Sequence, residues 1–202
     1  IVKRKYKLPD KFLLYVGDAN WVKNLPFLIK GFKELVKLTE GYIKLVLVGG
    51  VFLKRVENIT HPELESLRRM NRLIEEFGLQ NLVLRPGNLD QEDLVAFYNL
   101  ATVYIQPSLY EGFGLPLLQA LSCGAPCVSS NAGSLSEVGG GAAIYFDPTQ
   151  LTQFISVVSE VLNNKTLQNK LSKLGLKQAK SFSWNKAAKE TKAVYTMAIG
   201  NE

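Results

Sequence analysis

Glu111, Gly112, Phe113, Gly114 and Leu115 follow one another in the stretch YEGFGLPLLQAL, residues 110–121. Gly112 and Gly114 let the backbone approach another molecule closely, and Leu115 and Pro116 read as a first helical turn, where proline is tolerated. A helix start of this kind presents unpaired amides and the positive end of a dipole, a natural setting for phosphate. The plainer account is a tight turn in which Glu111 merely complements the dipole. With roughly 3.6 residues per turn, Leu117, Leu118 and Leu121 share one side of the helix, and Leu115, Gln119 and Ser122 the other. Gln119 therefore points away from the core, one turn inside the helix, where its amide could reach a hydroxyl. An exposed glutamine with no role is the alternative.

A second loop, VGDANWVKNLPFL at residues 16–28, leaves an apolar run and enters a helix in much the same way. It carries Gly17, Asp18, Lys23 and Asn24. A doubly negative diphosphate can be held between one ammonium group and several oriented N–H donors, so Lys23 facing the amides of Gly112 to Leu115 would make half of a nucleotide site. Alternatively Lys23 is an exposed lysine ahead of a helix capped by Asn24.

Both loops need a scaffold that brings them together. Apolar runs at 12–16, 43–50, 81–87, 102–107, 125–130 and 142–146 have strand length and alternate with amphipathic segments, the pattern of strand–helix units in a parallel sheet. Leu25, Leu28, Ile29, Phe32, Leu35 and Val36 recur at helical spacing; residues 62–77 and 90–100 read as helices, the latter capped by Asp90, and 131–138 as a loop. From Pro148 the chain reads as helical throughout. Leu151, Phe154, Ile155 and Val158 form one stripe, Asn163 and Asn164 break it, a second helix runs to about Lys180, and a third follows Ser183. Consecutive apolar residues in the strands imply that helices cover both faces. The expected fold is a doubly wound, Rossmann-like α/β sheet of about six parallel strands with C-terminal helices from about residue 149. In the common strand order 3-2-1-4-5-6 the first and fourth strands are neighbours, and both loops open onto the crevice where ligands bind.

Composition narrows the alternatives. The 202 residues, 47% hydrophobic and 21% charged, suit one compact domain that folds without staples. Cys123 and Cys127, spaced C-x3-C, match neither a zinc site nor a disulfide framework and read as small buried apolar residues. No run approaches the roughly 18 apolar residues of a membrane span, and the basic opening IVKRKYKLPDK is no signal peptide, so a cytoplasmic location is expected. The net charge of +6 fits solvated faces first and attraction to anionic ligands or the inner face of a membrane second. A nucleic-acid role is not expected, since aromatic residues do not interleave with the lysines. The first strand lacks a G-x-G-x-x-G turn, which argues against a dinucleotide oxidoreductase. His61 reads as a surface turn residue, and no Asp-x-Asp pair suggests a metal.

Taken together, PSLYEGFGLPLLQALSCGAPCVSSNAGSLSEV, preceded by YVGDANWVKNLP and followed by AAIYFDP and FSWNKAAKET, resembles the C-terminal, donor-binding domain of the retaining GT-B glycosyltransferases of family 4, the group 1 glycosyl transferases. The resemblance implies that Glu111 contacts hydroxyls of a donor sugar, that the amides of Gly112, Phe113, Gly114 and Leu115 hold a diphosphate, and that Gln119 meets the ribose. It further implies that Arg85, Gly87, Asn88 and Leu89 form the base loop. Gln119 stands where the family has an acidic residue, and Asp18 follows Gly17 where many relatives carry arginine. The first departure implies weaker ribose binding; the second leaves Lys23 as the main cationic side chain on the diphosphate, with Asp18 a source of repulsion if turned inward, and Lys23 and Glu111 are the residues expected to serve catalysis. The implied reaction is metal-independent transfer of a hexose, with retention, from a nucleotide sugar to an acceptor hydroxyl. UDP-glucose is expected on frequency alone, and GDP- and ADP-sugars stay open; no cofactor is implied. A non-catalytic nucleotide-sugar-binding or regulatory module is the alternative. Hydrolysis is not expected, because only Glu111 is placed to flank a glycosidic bond. Enzymes of this type carry an N-terminal acceptor domain, so residues 1–11 are expected to be a basic linker tail, residues 12–202 the donor domain, and transfer by the chain alone weak.

Overall fold

The computed structural model describes residues 1–54 and 61–200. The apolar runs become six parallel strands: β1 (Phe12–Val16), β2 (Lys44–Val48), β3 (Val83–Gly87), β4 (Val103–Gln106), β5 (Cys127–Ser130) and β6 (Ala143–Phe146). Their order is β3-β2-β1-β4-β5-β6. Chain progression therefore reverses between β1 and β4, which sit side by side as the doubly wound reading requires.

Among the described residues the helices are α1 (Val2–Lys5), α2 (Leu25–Leu38), α3 (Glu65–Glu76), α4 (Gln91–Leu100), α5 (Leu115–Ser122), α6 (Leu135–Gly139), α7 (Leu151–Asn163), α8 (Lys165–Ala179) and α9 (Trp184–Ile199). Strand residues alternate between two cores because successive side chains leave opposite faces. Leu13 and Tyr15 pack with α2, α3 and α7, whereas Phe12 and Leu14 pack with α4, α5 and α6. α9 buries none of its residues, and no helix among the described residues is long and apolar enough to cross a membrane.

Two local departures from the sequence reading have simple causes. Within 131–138, expected as a loop, α6 begins: Leu135 and Val138 are buried, and the amides of Glu137 and Val138 both donate to the Ser134 carbonyl. A five-residue helix is too short to register as periodicity. At the N-terminus, α1 packs on α4, with Lys5 and the Tyr6 hydroxyl both donating to Asp93 and Tyr6 edge-on to Phe97 at 5.1 Å. Those hydrogen bonds, Lys5 first and then Tyr6, hold the Asp93 carboxyl below its ordinary range. A carboxylate depressed in this way stabilises the fold above its unfolded value of about 4, and the contribution is lost as pH falls through the lower folded value.

Cys127 is buried and Cys123 half-buried, both unpaired. Burial raises both thiols, which suits small apolar residues and not nucleophiles. His61 is exposed, ahead of the turn Pro62–Leu64, and its Nδ1 accepts from the Glu63 amide.

The carboxyl ends of β1, β2 and β3 are tied by backbone: Gly17 N–H donates to Val48 O and Gly49 N–H to Gly87 O, each at 3.0 Å. Gly49 has φ 151°, and a Cβ there would lie 2.4 Å from the Gly17 carbonyl oxygen. Both backbone strain and a backbone clash oppose any side chain, so Gly49→Ala is expected to destabilise the fold by roughly 2–4 kcal/mol. A lowered urea midpoint with unchanged slope is the expected readout; wild-type stability would mean that the two loops are not held as close as described.

Candidate functional site

The two strand exits meet. The turn Trp21–Lys23 follows β1 and runs into α2, and the amide of Leu109, beyond β4, donates to the Val22 carbonyl at 2.7 Å. That bond places Lys23 beside Glu111: Lys23 Nζ lies 2.7 Å from Glu111 Oε1, with the side chains 20% and 11% exposed. Lys23 thus faces the acidic side chain at the mouth of the glycine loop.

Glu111 is held from several sides. Its Oε1 also accepts from Gln106 Nε2 at 2.8 Å and from Ser108 Oγ at 2.7 Å. Its carbonyl accepts from the amide and the hydroxyl of Ser134 at 3.2 and 3.1 Å. Gly133, at φ 59°, lets the loop before α6 come this close, since a Cβ there would stand 2.5 Å from the same carbonyl. The loop from β5 into α6 is therefore a clamp on the glycine loop.

α5 starts at Gly114, which is left-handed at φ 94° and ψ 48°, with Pro116 in the first turn and no side-chain cap. An N-terminal turn without a cap leaves amides for an outside acceptor. A Cβ on Gly114 would come 2.6 Å from the Leu135 side chain, so α6 also fixes the approach of α5. Phe113 and Leu115 flank the start, 41% and 48% exposed. Gln119 is exposed on α5, as its helical position predicts, and its Oε1 accepts from the buried Tyr98 hydroxyl at 3.2 Å.

Other residues singled out in the sequence lie elsewhere around the crevice. Asp18 is exposed, but its Oδ1 accepts from the Ala19 amide at 2.7 Å. The carboxylate is folded onto its own loop, while the buried Tyr15 hydroxyl donates to the Asp18 carbonyl at 2.7 Å. Asn24 does not cap α2 through its side chain. It adopts φ 55° and donates Nδ2 to the Pro148 carbonyl at 3.0 Å, joining the first loop to the segment before α7. Gly17, Asp18, Asn88 and Leu89 line a cavity of about 370 Å³ with Gly49 and Gly50. Gly50 allows this closeness, since a Cβ there would meet the Asn88 amide at 2.8 Å. Gly87 supplies the turn at φ 81° that leads out of β3. Arg85 does not line that cavity. Burial lowers its guanidinium from the ordinary value, and Glu75 of α3 offsets this in part.

Sequence reasoning missed Gln106, Ser108, Tyr98, Ser134 and the pair Gly49–Gly50. One signal was present for Gln106: it is the polar residue closing β4, two positions after Tyr104, so the two share a face of the sheet.

The arrangement offers a cationic side chain, a run of helix-start amides and a carboxylate within one crevice, with a separate cavity at the ends of β1 to β3. The family model described as glycosyl transferases group 1 matches residues 2–178. Serotype-specific mannosyltransferase WbdA of Escherichia coli is 35% identical over 188 residues, 93% of this chain and 22% of the relative. O-antigen chain mannosyltransferase B of Escherichia coli is 30% identical over 197 residues, 97% of this chain and 49% of that protein. The chain thus spans less than half the length of these curated relatives. Among solved structures, sucrose-phosphate synthase from Thermosynechococcus elongatus superposes with a TM-score of 0.83 at 24% identity, over 100% of this chain and 49% of its own. Anabaena HepE, solved with UDP and glucose, gives 0.80 at 15% identity, over 96% and 50%. These two share the fold, a GT-B half. With the sheet and both loops inside the matched span, the chain belongs to the glycosyl transferases group 1 family.

Proposed function

We propose that this domain binds the donor of a retaining glycosyltransferase that moves a hexose from a nucleoside diphosphate to an acceptor hydroxyl. The observation that carries the reading is Lys23 at 2.7 Å from Glu111, beside the uncapped start of α5. Cleavage of the bond between the anomeric carbon and the diphosphate leaves charge on the leaving phosphate. The amides of Gly112 to Leu115 are disposed to stabilise that charge without reorganising, and Lys23 joins them by turning from Glu111 to the phosphate, an electrostatic effect of the kind that commonly dominates such rate enhancements. Glu111 holds the sugar, Gln119 the ribose, and the cavity lined by Asn88, Leu89, Gly49 and Gly50 takes the base. Arg85 stands outside that cavity and takes no part in this assignment.

The names of the relatives put a mannosyl donor ahead of the glucosyl one. The base stays open between uracil, guanine and adenine. The acceptor site belongs to another domain, and the lysines of α8 suit contact with an anionic inner membrane face from the cytoplasm, whereas Lys3 and Lys5 of the N-terminal segment are engaged by Asp10 and Asp93. Gln119, whose acceptor oxygen Tyr98 already engages, favours the second reading of a binding module, but the fully formed cradle around Glu111 supports retained chemistry.

Titration calorimetry of the chain with UDP, GDP and ADP, and then with the mannose and glucose conjugates of whichever binds, tests the proposal. Saturable heat with one nucleoside diphosphate and its hexose conjugate, and no turnover without an acceptor domain, is expected. Absence of heat with all three diphosphates would end the donor reading.

A further inference from the structure

Gln106 is 1% exposed at the end of β4 and makes hydrogen bonds along a directed chain. Tyr104 donates its hydroxyl to Gln106 Oε1. Gln106 Nε2 then gives one hydrogen to Ser108 Oγ at 2.9 Å and the other to Glu111 Oε1 at 2.8 Å. Ser108, having accepted, donates onward to Glu111 Oε1 at 2.7 Å. The direction is set at the inner end. Tyr104 is fully buried, and that burial, ahead of the nearby phenols and thiol, raises its phenol well above the ordinary value. It therefore stays protonated and donates, which turns the amide oxygen of Gln106 inward and its two hydrogens toward Ser108 and Glu111.

We infer that Gln106 is a positioning residue for recognition of the donor's sugar, holding Glu111 with Oε1 inward so that Oε2 is kept for the sugar hydroxyls. The inference rests on the donor-binding reading above and deepens it. Its force comes from what Lys23 must do there. Once Lys23 turns to the diphosphate, the ion pair no longer orients the carboxylate, and Gln106 and Ser108 are the side chains that do. An amide is suited to this, because it adds no charge beside the diphosphate and its orientation is locked by Tyr104.

Gln106→Met keeps the length and apolar bulk of the side chain while removing both the acceptor and the donors. Calorimetry on the full chain compares its affinity for the nucleoside diphosphate with that for the hexose conjugate. The ratio of conjugate to diphosphate affinity is expected to fall about tenfold, with diphosphate affinity itself retained. Equal weakening of both ligands, or an unchanged ratio, overturns the inference, since a residue that only supports the fold cannot single out the sugar. If Gln106→Met fails to fold, Tyr104→Phe, which deletes the orienting hydroxyl alone, is read by the same ratio: a fall supports the inference and no change overturns it. Wild-type chain that binds neither ligand would sink the donor reading first, and this inference with it.

Discussion

Lys23→Met is expected to weaken nucleoside diphosphate binding by about a hundredfold, the scale of one lost charge-assisted hydrogen bond plus an uncompensated carboxylate nearby. Both parts follow from the pairing at 2.7 Å. In the free protein Lys23 neutralises Glu111, and a diphosphate must draw the ammonium away. Without the lysine, the amides of Gly112 to Leu115 still attract phosphate, but Glu111 now repels it from a side chain only 11% exposed, where water screens poorly. Calorimetry with the best diphosphate at two salt concentrations separates the terms, because exposed charges are screened and partly buried ones much less. Affinity within a factor of two of wild type would show that the amides hold the diphosphate alone, and the proposed partnership between the loops would fail.

The same residue illustrates what could be read in advance and what could not. Strand order was legible because alternating apolar runs and helices permit few connected arrangements, and β1 beside β4 brings the two loops together whatever their details. That the loop bearing Lys23 meets the glycine loop followed from this adjacency, with Lys23 expected opposite the amides of Gly112 to Leu115. Its direct contact with Glu111 did not, since it depends on the bond from Leu109 to Val22, a loop-to-loop match with no periodicity to betray it. Asn24 shows the converse. Its type and place predict a cap, yet its carboxamide goes to Pro148, because left-handed geometry at φ 55° aims it away from the helix. The resemblance implies a base-loop role for Arg85, yet it does not line the cavity with Asn88 and Leu89. Side chains alternate across a strand, and a residue near the right loop can still belong to the other face. Gln106 carries little signal in sequence, because a lone polar residue at a strand end looks like the end of a hydrophobic run. Only the partners Tyr104, Ser108 and Glu111 give it meaning.

Glu111→Gln should move the two ligands in opposite directions, which makes it the sharper companion to the lysine substitution. The new amide can satisfy Gln106 and Ser108 only with its oxygen inward, since both donate to Oε1. Its NH2 group then replaces the outward oxygen. Lys23 loses the charge that held it and is free for phosphate, so affinity for the bare diphosphate is expected to rise severalfold, the reverse of the competition just described. Sugar recognition changes for the worse, because a carboxylate accepting from hydroxyls is exchanged for a neutral donor. The affinity ratio of hexose conjugate to diphosphate is expected to drop by about ten- to a hundredfold. Fold stability should change little, as the substitution keeps the shape and both inner hydrogen bonds. A matched rise for both ligands would mean that Glu111 restrains Lys23 without touching the sugar, and a matched fall would mean that the carboxylate serves the loop's structure alone; either result would remove Glu111 from the donor site while leaving Lys23 in it.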